Sequence, residues 1–415
     1  MTNSSRRQLL LALAAAALLT AALAGCGSGQ PGVVVEGDQL TVVTSAPLSG
    51  DLEASGQAMV NGERLALAEA DGLIGPFTVS LTVLNSVQGR MRLPSEAQVA
   101  SNARAAVLAP TSIAYIGDYD SAATAVSLPL TNQGGIAQIS PLAGYAGFTS
   151  SAQAGLDEPQ RFYPSGKKTF FRLAPSNLRE VAAQASLQAE QGCRSSFVAF
   201  SDSATGKRAG AAMSAALKAE SIDTAATAAA ASTPRDLRGV AQQIINSGAD
   251  CLAYSGPTSV VAAQLFNRLI IAEPALKLFV GRAADSAPFT ENLSARAQRA
   301  TLVTTPGPDP DRLGAAGAAF TKRYRAQFGS DPGLAGLYGY AAMTDVLAAI
   351  GRAGQSGNDR SAVLAQLRAS DNRSSVLGRY SYSGSGDSTL NAFVVSRIIG
   401  GQLVASPQLT AAIAD

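Results

Sequence analysis

The stretch "IAYIGDYDSAATAVSLPLTNQGGIAQIS" (residues 113–140) contains two short apolar runs separated by a longer, alanine-rich segment. Residues 113–120 predict a strand that runs into a loop, residues 122–134 predict a helix, and residues 136–140 predict a second strand. A strand, a helix and a strand in this order predict two parallel strands joined by a crossover helix. Short, mostly apolar strands are typical of a parallel sheet that helices cover on both faces.

The same alternation continues on both sides of this stretch. Upstream, residues 41–47 and 77–85 predict strands, and residues 56–72 and 96–109 predict helices. After the irregular, polar segment 155–169, the alternation begins again, with predicted strands at 169–175, 196–202, 251–257, 276–282 and 300–306 and predicted helices at 177–191, 206–220, 235–247, 258–271, 313–328 and 334–353. Because 415 residues are too many for one core, the pattern predicts an α/β fold with two doubly wound parallel-sheet lobes.

The N-terminus has a different organisation. Arg6 and Arg7 precede a mostly apolar stretch that ends at Cys26. This stretch is shorter than the roughly 20 residues of a membrane-spanning helix, and its length is typical of a signal peptide. The letters "LAGC" before and at Cys26 resemble the lipobox of bacterial lipoproteins, in which the cysteine receives diacylglycerol. We predict a lipoprotein signal peptide over residues 1–25 and a flexible tether over 26–37, with an ordinary signal peptide or an uncleaved anchor helix as the alternative.

The composition argues against several classes of function. Residues 1–25 carry two arginines and no acid, so the remaining chain has 30 basic and 30 acidic residues and no excess positive charge for nucleic acid. Histidine is absent, which excludes Ser-His-Asp and Cys-His catalysis and every histidine-containing metal site. The sequence also lacks a phosphate-binding loop and a nucleophile elbow. We therefore expect no catalytic residues, no metal, no cofactor and no nucleic-acid partner.

Four segments carry a resemblance to a known family. They are "PLSGDLEASGQAMVNGERLALAEADG" (47–72), "AYIGDYDSAATAVSLPLTNQGGIAQISPLAGYAGFTS" (114–150), "YGYAAMTDVLAAIGRAG" (338–354) and "VLGRYSYSGSGDST" (376–389). Together they resemble the branched-chain-amino-acid type of substrate-binding protein for ABC transporters, whose fold is the type I periplasmic binding protein fold. The resemblance covers nearly the whole chain after Cys26.

The resemblance implies two α/β lobes joined by three crossover segments, with a ligand cleft between the lobes. We expect lobe 1 to contain residues 38–172 and 304–385, and lobe 2 to contain residues 173–303 and 386–415. It also implies a lipoprotein anchored to the extracytoplasmic face of the cell membrane through diacylglycerol on Cys26. This monomeric protein would deliver a small polar ligand, an amino acid or a related carboxylate or amide, to an ABC permease and its ATPase.

In open α/β sheets, ligands bind at the carboxyl ends of the strands. In lobe 1 the loops there contribute the candidates Ser49, Ser121, Ala122, Thr124, Leu142, Gly144 and Tyr145. By the resemblance, Ser121 matches the family's ligand-binding serine, Thr124 follows at the expected spacing, and Leu142 falls where a backbone group is used. Gly144 stands where a hydroxyl residue is expected. Tyr145 either lines the cleft or packs on the lobe surface.

The candidates in lobe 2 are Asp202, Thr205, Pro257, Arg282 and Asp285. Thr205 replaces a usual tyrosine, Pro257 replaces an aromatic residue, and Ala283 stands where the family has the acid that holds the ligand's ammonium. Because an unpaired buried ammonium costs several kcal/mol, either Asp202 or Asp285 supplies this acid or the ligand is not an ordinary α-amino acid. In the second case Arg282 would bind a carboxylate or another anion; alternatively, Arg282 is a solvated charge at a strand end.

Cys193 and Cys251 each lie at the start of a predicted strand. Neighbouring parallel strands would place both thiols at one edge of a sheet, and an exported protein meets an oxidising compartment. We therefore predict a disulfide, with two separate buried thiols as the alternative.

Two other functions remain compatible with these residues. An orphan ligand-sensing lipoprotein without a permease would have the same sequence features. An enzyme that uses cleft carboxylates such as Asp202 and Asp285 is the less favoured alternative, because no pair of acids has the spacing of an acid and a base.

Overall fold

The computed structural model of the protein describes residues 33–152, 154–284, 286–309 and 313–412. The strands in chain order are β1 Gln39–Ala46, β2 Leu73–Ile74, β3 Phe77–Asn85, β4 Ser112–Ile116, β5 Ala137–Ser140, β6 Phe170–Arg172, β7 Ser195–Phe200, β8 Asp223–Ala229, β9 Cys251–Ser255, β10 Lys277–Val280, β11 Thr301–Pro306, β12 Arg373–Ser375, β13 Gly378–Tyr380, β14 Ala392–Ile399 and β15 Gln402–Ala412. The helices are α1 Glu53–Glu69, α2 Glu96–Leu108, α3 Ser121–Gln133, α4 Asn177–Glu190, α5 Ala204–Ala219, α6 Pro234–Asn246, α7 Val260–Ala272, α8 Ala287–Thr290, α9 Ala295–Ala300, α10 Ala315–Phe328, α11 Gly333–Ala353 and α12 Arg360–Arg368.

The strands form two large sheets, and each sheet with its helices is one lobe. The sheet of lobe 1 has the order β2-β3-β1-β4-β5-β6, and the sheet of lobe 2 has the order β15-β14-β11-β10-β9-β7-β8. The centre of each sheet is parallel, which confirms the predicted fold class. Antiparallel strands lie only at the edges of these sheets within the described residues: β2 pairs antiparallel with β3, and β14 and β15 add two antiparallel strands to lobe 2.

The chain crosses between the lobes three times, as the resemblance implied. It passes from β6 to α4, from β11 to α10, and from β13 to β14. Residues 304–306 belong to β11 in the sheet of lobe 2, so this crossover lies a few residues beyond the expected boundary.

Serine and aspartate side chains begin the helices that border the cleft. Asp120 precedes α3 and accepts hydrogen bonds from the N–H groups of Ala122 and Ala123, at 2.8 and 2.9 Å. Ser203 precedes α5 and accepts one from the N–H of Gly206 at 2.9 Å. Such caps satisfy amide groups that have no partner within the helix, and so they fix where each helix begins.

Helices α1 and α11 pack unusually closely in the core of lobe 1 because glycines lie at their contact. A Cβ atom on Gly62 would lie 2.1 Å from the carbonyl oxygen of Gly336, and one on Gly339 would lie 2.2 Å from that of Met59. The segment Gly333–Ser356 is apolar and long enough to cross a membrane by length and composition, but 72% of its apolar window is buried inside the fold. We therefore assign it as a core helix.

The local pattern predicted most elements within a few residues. The predicted strand 77–85 coincides with β3, and the predicted helix 96–109 with α2. The prediction missed β8, whose sequence "DTAATAA" is rich in alanine, a residue depleted in strands. It forms as an edge strand because its backbone pairs with β7. The hairpin β14–β15 was also not predicted.

The predicted disulfide between Cys193 and Cys251 is confirmed, with a Cα–Cα distance of 6.0 Å. Strand β7 pairs directly with β9, and Ser196 lies opposite Cys251, so the two cysteines share the amino-terminal edge of the sheet. Together with Asp250 these cysteines are close enough to hold a metal ion, but both thiols are consumed by the disulfide.

Candidate ligand-binding site

A pocket of about 460 Å³ lies between the two lobes, at the carboxyl ends of their strands. Lobe 1 contributes Ser121, Ala122, Gly144, Tyr145, Glu158 and Arg161 to its wall. Lobe 2 contributes Asn177, Glu180, Thr205, Arg208 and Arg282. The pocket is therefore complete only when both lobes are in place.

The first turn of α3 forms one wall of this pocket. The Ser121 hydroxyl accepts a hydrogen bond from the N–H of Tyr145 at 3.1 Å, which fastens the loop after β5 to the start of the helix. Ser121 and Ala122, two of the predicted ligand-binding residues, both line the pocket. Because the Asp120 carboxylate already accepts from the N–H groups of Ala122 and Ala123, the polar group of this wall that can still donate to a ligand is the Ser121 hydroxyl.

Thr124, Leu142 and Gly144 have mainly structural contacts. Thr124 is fully buried, and its hydroxyl donates to the backbone carbonyl of Asp120 at 2.8 Å. The carbonyl of Leu142 accepts a hydrogen bond from Arg282 at 3.3 Å, and the carbonyl of Gly144 accepts one from the N–H of Asn177 at 2.7 Å. These contacts join the loops of lobe 1 to lobe 2 directly.

Tyr145 lies in the pocket wall and contacts charged groups from both lobes. Its hydroxyl donates to the carboxylate of Glu158 and accepts a hydrogen bond from Arg208 of lobe 2 at 3.2 Å. Burial and the neighbouring Glu158 carboxylate raise the pKa of Tyr145, so it remains a neutral phenol. Glu158 also accepts from the N–H of Gly155 at 2.6 Å and pairs with Arg161 at 2.7 Å.

Glu180 is the acidic side chain that lobe 2 contributes to the pocket. It is the fourth residue of α4, and its carboxylate accepts a hydrogen bond from the backbone N–H of Arg282 at 3.0 Å. Burial raises the pKa of Glu180, and the Arg282 N–H and guanidinium partly offset this effect. The carboxylate has no side-chain partner within the described residues, so it remains available to a ligand.

Two guanidinium groups of lobe 2 reach across to lobe 1. Arg208 donates from Nη2 to the Tyr145 hydroxyl, whereas its Nε is buried and has no hydrogen-bond partner within the described part of the chain. Arg282 donates from Nη1 to the Leu142 carbonyl. Arg282 also lines two further cavities, of about 260 Å³ inside lobe 2 and about 300 Å³ beside the start of α1, so it lies where the three spaces meet.

Other candidate residues lie away from this pocket or at its margin. Asp202 forms an exposed ion pair with Lys207 at 2.9 Å. Ser49 accepts a hydrogen bond from Asn85 at 3.0 Å, and the carbonyl of Pro257 accepts one from the Tyr254 hydroxyl at 2.9 Å. None of these three lines the pocket between the lobes. Thr205 does line this pocket. Asp285 and Cys26 lie outside the described residues.

The family model described as "Periplasmic binding protein" matches residues 39–402 of the chain. The chain belongs to the periplasmic binding protein family. Its members are solute-binding proteins, so the family relationship agrees with a cleft that binds a small molecule. No curated protein sequence matches the chain significantly.

Solved structures of periplasmic binding proteins share the whole fold. A leucine-binding protein from Thermotoga maritima is 17% identical with a TM-score of 0.71, and the match covers 90% of this chain and 99% of that one. A branched-chain amino acid substrate-binding protein from Streptococcus pneumoniae, in complex with isoleucine, is 16% identical with a TM-score of 0.68, over 89% and 99% of the chains. A solute-binding protein from R. palustris, in complex with benzoate, is 17% identical with a TM-score of 0.67, over 91% and 97%. These similarities establish the type I periplasmic binding protein fold.

Sequence reasoning missed Glu180 and Arg208 because it searched the loops after the strands. Both residues lie near the starts of helices: Glu180 is the fourth residue of α4 and Arg208 is the fifth residue of α5. A charged residue among the first five positions of a helix that follows a crossover or a cleft loop is a usable signal, since the start of such a helix lies at the carboxyl ends of the strands.

Proposed function

We propose that the protein is the extracytoplasmic solute-binding component of an ABC importer, which closes over a small polar ligand and delivers it to a membrane permease. The observation that carries this proposal is the pocket between the lobes, whose wall combines polar and charged side chains from both. A ligand that contacts both lobes binds the closed arrangement better than the open one, and so shifts the population toward closure.

Glu180 is the best candidate for the acid that holds the ligand's ammonium. It lines the pocket, whereas Asp202 is paired with Lys207 at an exposed position. An amino acid or a related carboxylate or amide is therefore compatible with the site, with its carboxylate between the Ser121 hydroxyl and Arg282.

We also propose that residues 1–25 are a signal peptide and that diacylglycerol on Cys26 anchors a monomeric protein to the extracytoplasmic face of the cell membrane. The proposed domain organisation is two lobes with boundaries near residues 172, 306 and 385, where the second boundary follows the end of β11. The "LAGC" sequence at Cys26 supports the anchor, and intact-mass measurement of protein extracted from membranes tests it. A mass that retains residues 1–25 or lacks the lipid would contradict this part.

A thermal-shift screen of the purified protein tests the binding function. The panel contains amino acids, amides, small carboxylates and short peptides. A ligand at 100 times its dissociation constant should add about 2.7 kcal/mol to the free energy of unfolding, which raises the melting temperature. Small-angle X-ray scattering with the ligand should show a smaller radius of gyration because the cleft closes. Stabilisation without closure would count against delivery to a permease.

A further inference from the structure

The pocket wall contains unequal numbers of positively and negatively charged side chains that lack a partner of opposite charge. Glu158 and Arg161 pair with each other at 2.7 Å, so their charges offset within lobe 1. The remaining charged groups in the wall are Glu180, Arg208 and Arg282, one anion and two cations. Among the side chains that line the pocket the cations therefore exceed the anions by one, and a ligand with one net negative charge complements them.

Arg208 has hydrogen-bonding capacity that the protein does not use. Its Nη2 contacts two hydroxyl oxygens, of Tyr145 at 3.2 Å and of Thr205 at 3.4 Å, and neither is charged. Its buried Nε has no partner within the described residues. Arg208 is half-buried, and the planar donors of its guanidinium match the two oxygens of a carboxylate.

Arg282 and Glu180 are joined by a hydrogen bond, and Arg208 is not part of this pair. The carboxylate of Glu180 accepts from the Arg282 backbone, while the Arg282 guanidinium reaches the carbonyl of Leu142. One cation and one anion are thus placed side by side, which suits the carboxylate and the ammonium of an α-amino acid. Arg208 is the cation left over.

We propose that the ligand is a small acidic amino acid, a zwitterion that carries a second carboxylate, and that Arg208 binds this second carboxylate. The inference rests on the proposed solute-binding function and specifies its substrate class. The ammonium contacts Glu180, and the α-carboxylate lies between the Ser121 hydroxyl and Arg282. An apolar amino acid would leave Arg208 unpaired, and a dicarboxylate without an ammonium would leave Glu180 unpaired.

Titration calorimetry with matched ligand pairs tests this assignment. Glutamate is compared with glutamine, aspartate with asparagine, and glutamate with glutarate, and leucine and benzoate complete the panel. Because a hydrogen bond to a charged group contributes about 1.5–3 kcal/mol, each acidic amino acid should bind about 10- to 100-fold more tightly than its partner. Tighter binding of leucine, benzoate or glutarate would overturn the substrate class but retain the binding function. No binding across the whole panel would count against both.

Two variants with matched controls test which protein side chain binds each charged group of the ligand. Arg208→Gln should weaken glutamate binding about 10- to 100-fold and leave glutamine binding within about threefold. Lys207→Gln removes the same charge from the preceding position of α5, where the side chain is 64% exposed, and should change neither. Glu180→Gln should weaken glutamate more than glutarate, with Glu190→Gln at the exposed end of α4 as its control. Equal loss of glutamate and glutamine in Arg208→Gln, with an unchanged melting temperature, would overturn the role of Arg208.

Discussion

Arg172 and Asp387 form an ion pair with an Nε–Oδ1 distance of 2.6 Å, which joins the first and third connections between the lobes. Arg172 is 1% exposed and also donates to the Tyr145 carbonyl at 2.7 Å and to the Thr149 hydroxyl. Backbone hydrogen bonds between Arg172 and residues 386 and 388 hold the two segments side by side. One buried guanidinium thus connects two of the crossover segments to the loop that carries Tyr145 into the pocket.

Arg172→Ala should lower the free energy of unfolding by about 3–5 kcal/mol, because it leaves Asp387 and the Tyr145 carbonyl without their buried partner. Arg92→Ala is the matched control, since Arg92 pairs with Asp51 at the same 2.6 Å but with side chains 80% and 44% exposed. That variant should lose at most about 1 kcal/mol. Urea denaturation measures both, and equal losses would contradict the role assigned to burial.

A side chain added at the glycines between α1 and α11 should destabilise the protein. Gly62→Ala and Gly339→Ala should each cost about 1–3 kcal/mol, because the added methyl group would meet backbone carbonyls at 2.1 and 2.2 Å. Gly351→Ala, in the same helix α11, places its methyl group 3.5 Å from Ile74 and should be neutral or stabilising by up to about 1 kcal/mol. Melting temperatures of the three variants test this contrast. If the melting temperature falls equally in all three, the close contacts at Gly62 and Gly339 are not the cause.

Asp118 should make the stability of the protein depend on pH. Burial raises the pKa of Asp118 from 3.8 to about 7, against the opposing hydrogen bonds from Ser127, Ser45 and Tyr115. Because the folded state favours the protonated form, the stabilisation is complete below about pH 4 and is lost as the pH rises through 7. For this group alone, the free energy of unfolding should fall by on the order of 3 kcal/mol between pH 5 and pH 8.

Asp118→Asn should remove this component of the pH dependence. Glu63 and Asp345 are also buried with raised pKa values, so the useful quantity is the difference between wild type and variant at each pH. Asp202→Asn, at an exposed position, is the control. Parallel pH profiles for wild type and Asp118→Asn would contradict the prediction.

Loss of the disulfide should affect stability and not ligand affinity. The Cys193–Cys251 bond closes a separation of 58 residues at the edge of the sheet opposite the pocket. Replacing both cysteines with alanine should lower the free energy of unfolding by up to about 4 kcal/mol, while the dissociation constant stays within about twofold. Denaturation and calorimetry measure the two quantities, and a large change in affinity would show that the sheet edge is coupled to the cleft.

Local residue patterns were sufficient to predict most strands and helices and the disulfide. Strands such as 77–85 and helices such as 96–109 follow from the spacing of apolar residues, and the disulfide followed from two cysteines at the starts of neighbouring strands. The loops that line the cleft were also predictable in part, because Ser121 and Ala122 lie directly after a parallel strand. Each of these features depends on residues that are close in the chain or on the rule that parallel strands end together.

The tertiary structure alone decided which charges meet in the cleft. Asp202 and Glu180 are both acidic residues near the carboxyl edge of lobe 2, but Asp202 turns to Lys207 in solvent while Glu180 accepts from Arg282 in the pocket wall. Arg208 reaches Tyr145 across 63 positions of the chain and from the other lobe. Such contacts depend on the relative placement of the two lobes and on the direction in which each helix begins, and no local pattern of residues encodes either.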